Sequence, residues 1–118
     1  MSTDDTSRLM HAYFEALGTG HFRQFLTDDV TWTTIQNGAD IRGAPAVEEA
    51  INGLHARMSD LKTRQLVLAD GTAYLEGTCA GKDGRPRIPY CVAYDLAGDR
   101  IAAMRAYGEI ASFMAPSQ

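Results

Sequence analysis

At 118 residues, with 45% hydrophobic and 22% charged residues, the chain has apolar material for one ordinary core, so a single domain over 1–118 is expected. A formal charge of −4 and the absence of any Lys/Arg run interleaved with aromatics argue against a nucleic-acid partner. The opening Met1 to Asp5 is acidic and no apolar stretch reaches bilayer length, so neither a leader nor a membrane partner is expected and the reading is cytoplasmic.

In chain order, Leu9, Met10, Tyr13, Phe14 and Leu17 recur at helical spacing, with Ser2 and Thr3 as upstream caps and Gly18 as a stop. This predicts an amphipathic helix over 4–17. His21 to Leu26 reads as a short second helix. Val30-Thr31-Trp32-Thr33-Thr34-Ile35 is rich in strand formers, and Asn37-Gly38 suits a type I′ hairpin turn before a short return strand at Ile41-Arg42. Pro45 then opens a third helix whose apolar residues Val47, Ile51, Leu54 and Met58 face one side. Strands follow at about 62–69, 72–81 and 87–96, separated by Asp70-Gly71 and by Lys82-Asp83-Gly84-Arg85-Pro86. A last strand spans about 100–107 after Ala97-Gly98-Asp99. The fold class expected is α+β: a curved, cone-shaped antiparallel sheet packed on three helices around an apolar pocket.

Cys79 and Cys91 lack CxxC spacing and are expected as reduced, buried thiols. His11, His21 and His55 show neither HExxH nor Cys-paired spacing, so no metal is expected.

Alternation along strands places Trp32 and Thr34 on one face, as it does Leu75, Gly77 and Cys79, and Met104 and Ala106. Those faces are small or apolar, and no inward carboxylate emerges. The opposite faces carry Thr31, Thr33, Tyr74, Glu76, Arg105 and Tyr107 and suit solvent or a second subunit. For the strand over 87–96, loop length decides whether Cys91 or Tyr90 points inward; the expectation is Cys91 with Ala93.

Tyr13-Phe14-Glu15-Ala16-Leu17 in the first helix, Asp28-Asp29-Val30 before the first strand and Asp99 to Tyr107 at the end resemble the nuclear transport factor 2-like superfamily over nearly the whole chain. The likeness is to its SnoaL-like polyketide cyclases, ketosteroid isomerases and limonene-epoxide hydrolases. The resemblance implies a deep apolar pocket, no cofactor and a homodimer formed through the sheet. It also implies that Tyr13 matches the oxyanion-binding tyrosine of the isomerases, while Thr34 stands at the position of their carboxylate base and Cys91 at that of their acid. Gly77, Cys79 and Ala106 stand where the epoxide hydrolases carry an Arg and two Asp. Because one scaffold hosts many chemistries, function has to be argued from the site.

Tyr13 is the candidate catalytic residue, as hydrogen-bond donor to a developing oxyanion, or else a helix residue with an apolar body and a wet tip. Candidate ligand-binding residues are Phe14, Leu17, Trp32, Thr34, Met58, Leu75, Cys91, Met104 and Ala106. His55, one turn after Ile51, either titrates at a pocket mouth or sits on the surface. Glu109 is either a base at the mouth or a surface ion-pair residue. The function expected is a cofactor-independent isomerase, cyclase or dehydratase acting on an apolar oxygenated small molecule. The alternative is a non-catalytic small-molecule binding or carrier domain.

Overall fold

The computed structural model describes residues 3–81 and 86–110. The first helix, α1 (Thr3–Leu17), buries Thr6, Met10 and Tyr13 along one stripe. Of the caps expected upstream, Ser2 lies outside the described residues and Thr3 is already helical. The helix ends as expected at Gly18, where the Gly18, Thr19 and Gly20 N–H groups donate to the Glu15, Ala16 and Leu17 carbonyls.

The second helix expected over 21–26 is a single 3-10 turn, Arg23–Phe25, and Leu26 already belongs to β1 (Leu26–Thr34). So short a segment forms too few helical hydrogen bonds to offset nucleation. Burial of Phe22 and Leu26, together with side chains from the next helix, fixes it instead. The hairpin to β2 (Ala39–Arg42) also departs from expectation. Thr34 pairs with Ala39, so the loop holds four residues, and only Gly38 takes a left-handed φ, of 70°. Asn37 serves instead through its side chain, whose Oδ1 accepts from the Ala39 N–H at 3.0 Å.

Gly43, at φ 98°, leads into α2 (Ala44–Arg57), which carries Pro45 in its first turn and buries Val47, Ile51 and Leu54. Met58 follows directly as the first residue of β3 (Met58–Ala69), four residues earlier than expected. The pair Asp70 and Gly71 (φ 50° and 77°), between β3 and β4 (Thr72–Gly81), makes the two-residue turn with positive φ at both centres that was expected at Asn37-Gly38. The separator over 82–85 lies outside the described residues. Beyond it come β5 (Ile88–Ala97) and β6 (Arg100–Gly108).

The six strands lie in the order β2-β1-β6-β5-β4-β3. The sheet is mixed rather than purely antiparallel, because β1 runs parallel to β6 while the other neighbours are antiparallel. A parallel pair needs a long crossover, and the α2-to-β5 stretch supplies it. Among the described residues two α-helices, not three, cover the inner face.

Register aligns the inward residues into rows. Trp32 pairs with Met104, Met104 with Tyr94 and Tyr94 with Ala73; one step along, Thr34, Ala106, Val92, Leu75 and Leu66 follow one another across the sheet. Curvature concentrates at β3, whose pairing with β4 shifts between Ser59 and Lys62 and again between Thr63 and Gln65. Asp60 there adopts φ 50°, and Arg87 ties the bulge down by donating to the Asp60 carbonyl and to Thr78 Oγ1, both at 2.9 Å. The bent strand turns Leu61 and Thr63 toward the helices, and the space left between sheet and helices is the site.

Candidate active site

A cavity of about 250 Å³ lies between α1, α2 and the inner face of the sheet. Tyr13, Phe14 and Leu17 enter it from α1, spaced as one helical face requires. Trp32 and Leu75 enter from the sheet, and Met58 closes the junction of α2 and β3. These six are residues that alternation and helical spacing had singled out.

Four others are not on its wall. Thr34 Oγ1 accepts the Trp32 indole N–H at 3.1 Å, and Met104 Sδ accepts the Tyr13 hydroxyl at 3.6 Å. Both are therefore capped by the aromatic side chains that do face the space. Ala106 sits in register between Thr34 and Val92 with only a methyl group and is fully buried. Cys91 points the other way: because Gly77 pairs with Tyr90 and Leu75 with Val92, the inward residues of β5 are Tyr90, Val92 and Tyr94. Cys91 lies on the outer face beside Glu76 and Tyr107. Ala93, expected inward with it, is also on that outer face, although neighbouring side chains cover it completely.

The shift of β5 by one residue brings two tyrosines into the cavity, and α2 adds a histidine. His55 is partly buried and lines the wall one turn beyond Ile51. Burial pushes its imidazole below the ordinary histidine value, so the neutral form dominates at neutral pH. Burial likewise raises Tyr13 and Tyr90 and carries Tyr94 well above the usual phenol range, where neighbouring tyrosines add to the effect. All three therefore keep their protons and remain donors. Tyr13 is sealed, 1% exposed, with its ring edge-on to Phe22 and Tyr94 at centroid separations of 5.7 and 5.8 Å. Its bond to a thioether is weak, because sulfur is a poor acceptor. Among the described residues the hydroxyls of Tyr90 and Tyr94 have no hydrogen-bond partner in the protein.

No carboxylate of the described residues lines the cavity. Glu48 is the one that is buried, and it is committed elsewhere: it accepts the Phe22 N–H at 3.0 Å and the Arg23 guanidinium at 2.9 and 3.3 Å. One turn on, Asn52 Nδ2 donates to the Gly20 carbonyl at 3.0 Å. The two side chains pin the α1–β1 connection to α2, which holds Leu17 and Gly18 against the cavity. Glu109, His11 and His21 are exposed and off the wall. No cluster of His, Cys, Asp or Glu among the described residues could hold a metal ion.

A family model of the SnoaL-like domain matches residues 10–104. The chain belongs to that family. Solved structures similar to this SnoaL-like domain share its fold at low identity. A steroid delta-isomerase from Pseudomonas aeruginosa is 13% identical with a TM-score of 0.79, over 92% of this chain and 85% of that one. An NTF2-like protein of unknown function from Burkholderia pseudomallei is 16% identical with a TM-score of 0.73, over 95% of each. A de novo designed protein with a curved β-sheet is 12% identical with a TM-score of 0.79, over 96% of this chain and 97% of that one. Identities this low establish the nuclear transport factor 2-like fold and nothing about the reaction. No curated protein sequence matches the chain. No helix among the described residues is long and apolar enough to cross a membrane.

Among the wall residues, sequence reasoning missed Tyr94 and Val92, favoured Cys91 over Tyr90, left His55 between pocket mouth and surface, and did not place Thr63 there. Tyr90 and Tyr94 share strand parity, so a correct register for either would have placed both.

Proposed function

We propose that this SnoaL-like domain binds an apolar, oxygen-bearing small molecule and moves a proton on it without a cofactor, as an isomerase, cyclase or dehydratase. The observation that carries this reading is that a neutral imidazole, His55, and the protonated hydroxyls of Tyr90 and Tyr94 line one cavity with aromatic walls. Such a pair suits enolisation. The imidazole nitrogen takes a proton from the carbon beside a carbonyl, the C–H electron pair forms the new C=C bond, and the carbonyl π pair moves onto oxygen, where a tyrosine O–H receives it. Return of the proton to a different carbon completes an isomerisation with no atom gained or lost. His55 thus takes the role for which the isomerase resemblance offers only Thr34 in this chain.

The test is deuterium incorporation into a panel of enolisable cyclic ketones in heavy water, read by mass spectrometry. Exchange faster than in buffer is expected, abolished in His55→Gln and reduced in Tyr94→Phe. Ligand binding without exchange would favour the second reading, a carrier. The support for a carrier is specific: the wall has no carboxylate among the described residues, and the donors of Trp32 and Tyr13 are already engaged by Thr34 and Met104.

Two further elements belong to the proposal. The exposed Val67, Tyr74 and Tyr107 of the outer sheet face suit a second copy of the chain, a homodimer through the sheet. The free thiols of Cys79 and Cys91 suit a reducing, cytoplasmic setting.

A further inference from the structure

We infer that the ligand of this cavity is a neutral, single-ring carbonyl compound, and not an acid, an amine or a polycyclic molecule. The inference rests on the reading of the cavity as a small-molecule site and is independent of whether turnover occurs there.

Size excludes the larger classes. Pockets for drug-sized ligands run roughly 300–1,000 Å³, and this one holds about 250 Å³. A space of that size suits a monocyclic molecule better than a tetracyclic skeleton.

Charge excludes the ions. No Lys, Arg, Asp or Glu of the described residues lines the wall, and burial favours the neutral form of His55 there, so a carboxylate or ammonium ligand would be stripped of water with no opposite charge to meet it, at a cost far above that of a neutral molecule. Aromatic walls alone can hold a cation when ring faces stand apart around it. Here Tyr13, Phe14 and Tyr94 are already packed on one another, with centroids 5.7, 5.8 and 6.0 Å apart and tilted or edge-on contacts, so no cage is open between them.

The polar groups that remain call for an acceptor. Tyr90 and Tyr94 present O–H donors that open to the cavity and have no partner among the described residues, and a ligand that displaced water from them without accepting their bonds would leave them unpaired at a cost, so the complementary ligand brings a carbonyl oxygen.

Trp32 is the only tryptophan of the chain and lines the cavity, so its fluorescence reports occupancy directly. Binding of four probes to the full chain tests the inference: isophorone, a one-ring enone; cyclohexanecarboxylate; cyclohexylammonium; and progesterone, a tetracyclic enone. Isophorone is expected to quench Trp32 saturably and to bind about tenfold or more tighter than either charged ring, with progesterone leaving the emission unchanged. The Tyr90→Phe, Tyr94→Phe double variant should weaken isophorone binding by about tenfold, as expected for a lost hydrogen bond or two. Equal binding of a charged ring, quenching by progesterone at the same concentration, or no binding of isophorone overturns the inference. Isophorone binding without deuterium exchange leaves it standing and removes only the catalytic reading.

Discussion

A Cβ added to Gly77 would lie 3.3 Å from the hydroxyl of its cross-strand partner Tyr90 and 2.6 Å from the Lys62 carbonyl oxygen. The second distance is closer than a carbon tolerates, and the obstructing atom is backbone. The bent β3 strand and the inward Tyr90 are thus both fitted over a missing side chain. Gly77→Ala is expected to destabilise the fold by about 1–3 kcal/mol, as overpacking does. Urea unfolding checks this, and an unchanged midpoint would show that β3 does not approach β4 so closely.

Why some of this was legible in the sequence and some was not follows from individual residues. Trp32 and Leu75 were placed correctly because β1 and β4 alternate cleanly between apolar and polar neighbours, Thr31 and Thr33 on one side, Tyr74 and Glu76 on the other. In β5 the run Tyr90-Cys91-Val92-Ala93-Tyr94 is apolar on both faces, so its parity is set only by the pairing of Gly77 with Tyr90, a long-range fact that no local pattern carries. His55 sits on the shoulder of the α2 stripe, where a one-residue rotation separates wall from solvent. Thr34, Met104 and Ala106 were rightly read as inward, but alternation does not reveal that Trp32 and Tyr13 roof over two of them.

Glu48 gives the fold a pH dependence of predictable sign. Burial raises its pKa, but the Phe22 N–H and the Arg23 hydrogen bonds and charge outweigh this, and the net shift is downward. A carboxylate whose folded pKa lies below its unfolded value, about 4.3, contributes stability above that pH and loses it as pH falls through the folded value. Glu48→Gln should therefore flatten the acid limb of a stability-versus-pH curve. At neutral pH Glu48→Ala should cost about 1–3 kcal/mol by leaving the buried Phe22 N–H unpaired. Parallel acid limbs in wild type and Glu48→Gln would contradict the assignment.

The imidazole of His55 should titrate below about pH 6.5, the value of a free histidine, because burial disfavours its charged form. With the folded pKa below the unfolded one, the unfolded chain binds the extra proton first. The contribution to stability is complete above the unfolded value and is lost as pH falls through the folded one. Any proton abstraction by His55 should accordingly rise from low pH and level off above the folded value. An NMR titration of the histidine ring protons, assigned with His55→Gln, gives the midpoint. A midpoint at or above that of free histidine would mean that the ring is solvated rather than on the cavity wall.

Thr34 separates a structural from a ligand-binding reading most sharply. Its hydroxyl accepts the Trp32 indole N–H at 3.1 Å, both residues are buried, and the hydroxyl lies behind the ring rather than in the cavity. Thr34→Val keeps the shape and removes the acceptor, leaving the indole donor unpaired, at an expected cost of about 1–3 kcal/mol in stability. Because the wall itself is untouched, isophorone affinity should stay within about twofold of wild type, a few tenths of a kcal/mol. The two readouts move independently: unfolding measures the Trp32 bond, and Trp32 quenching measures the cavity. Loss of affinity by about tenfold with unchanged stability would return Thr34 to the set of ligand-binding residues in which its strand position first placed it. It would also mean that the indole turns away from Thr34 when the cavity is filled.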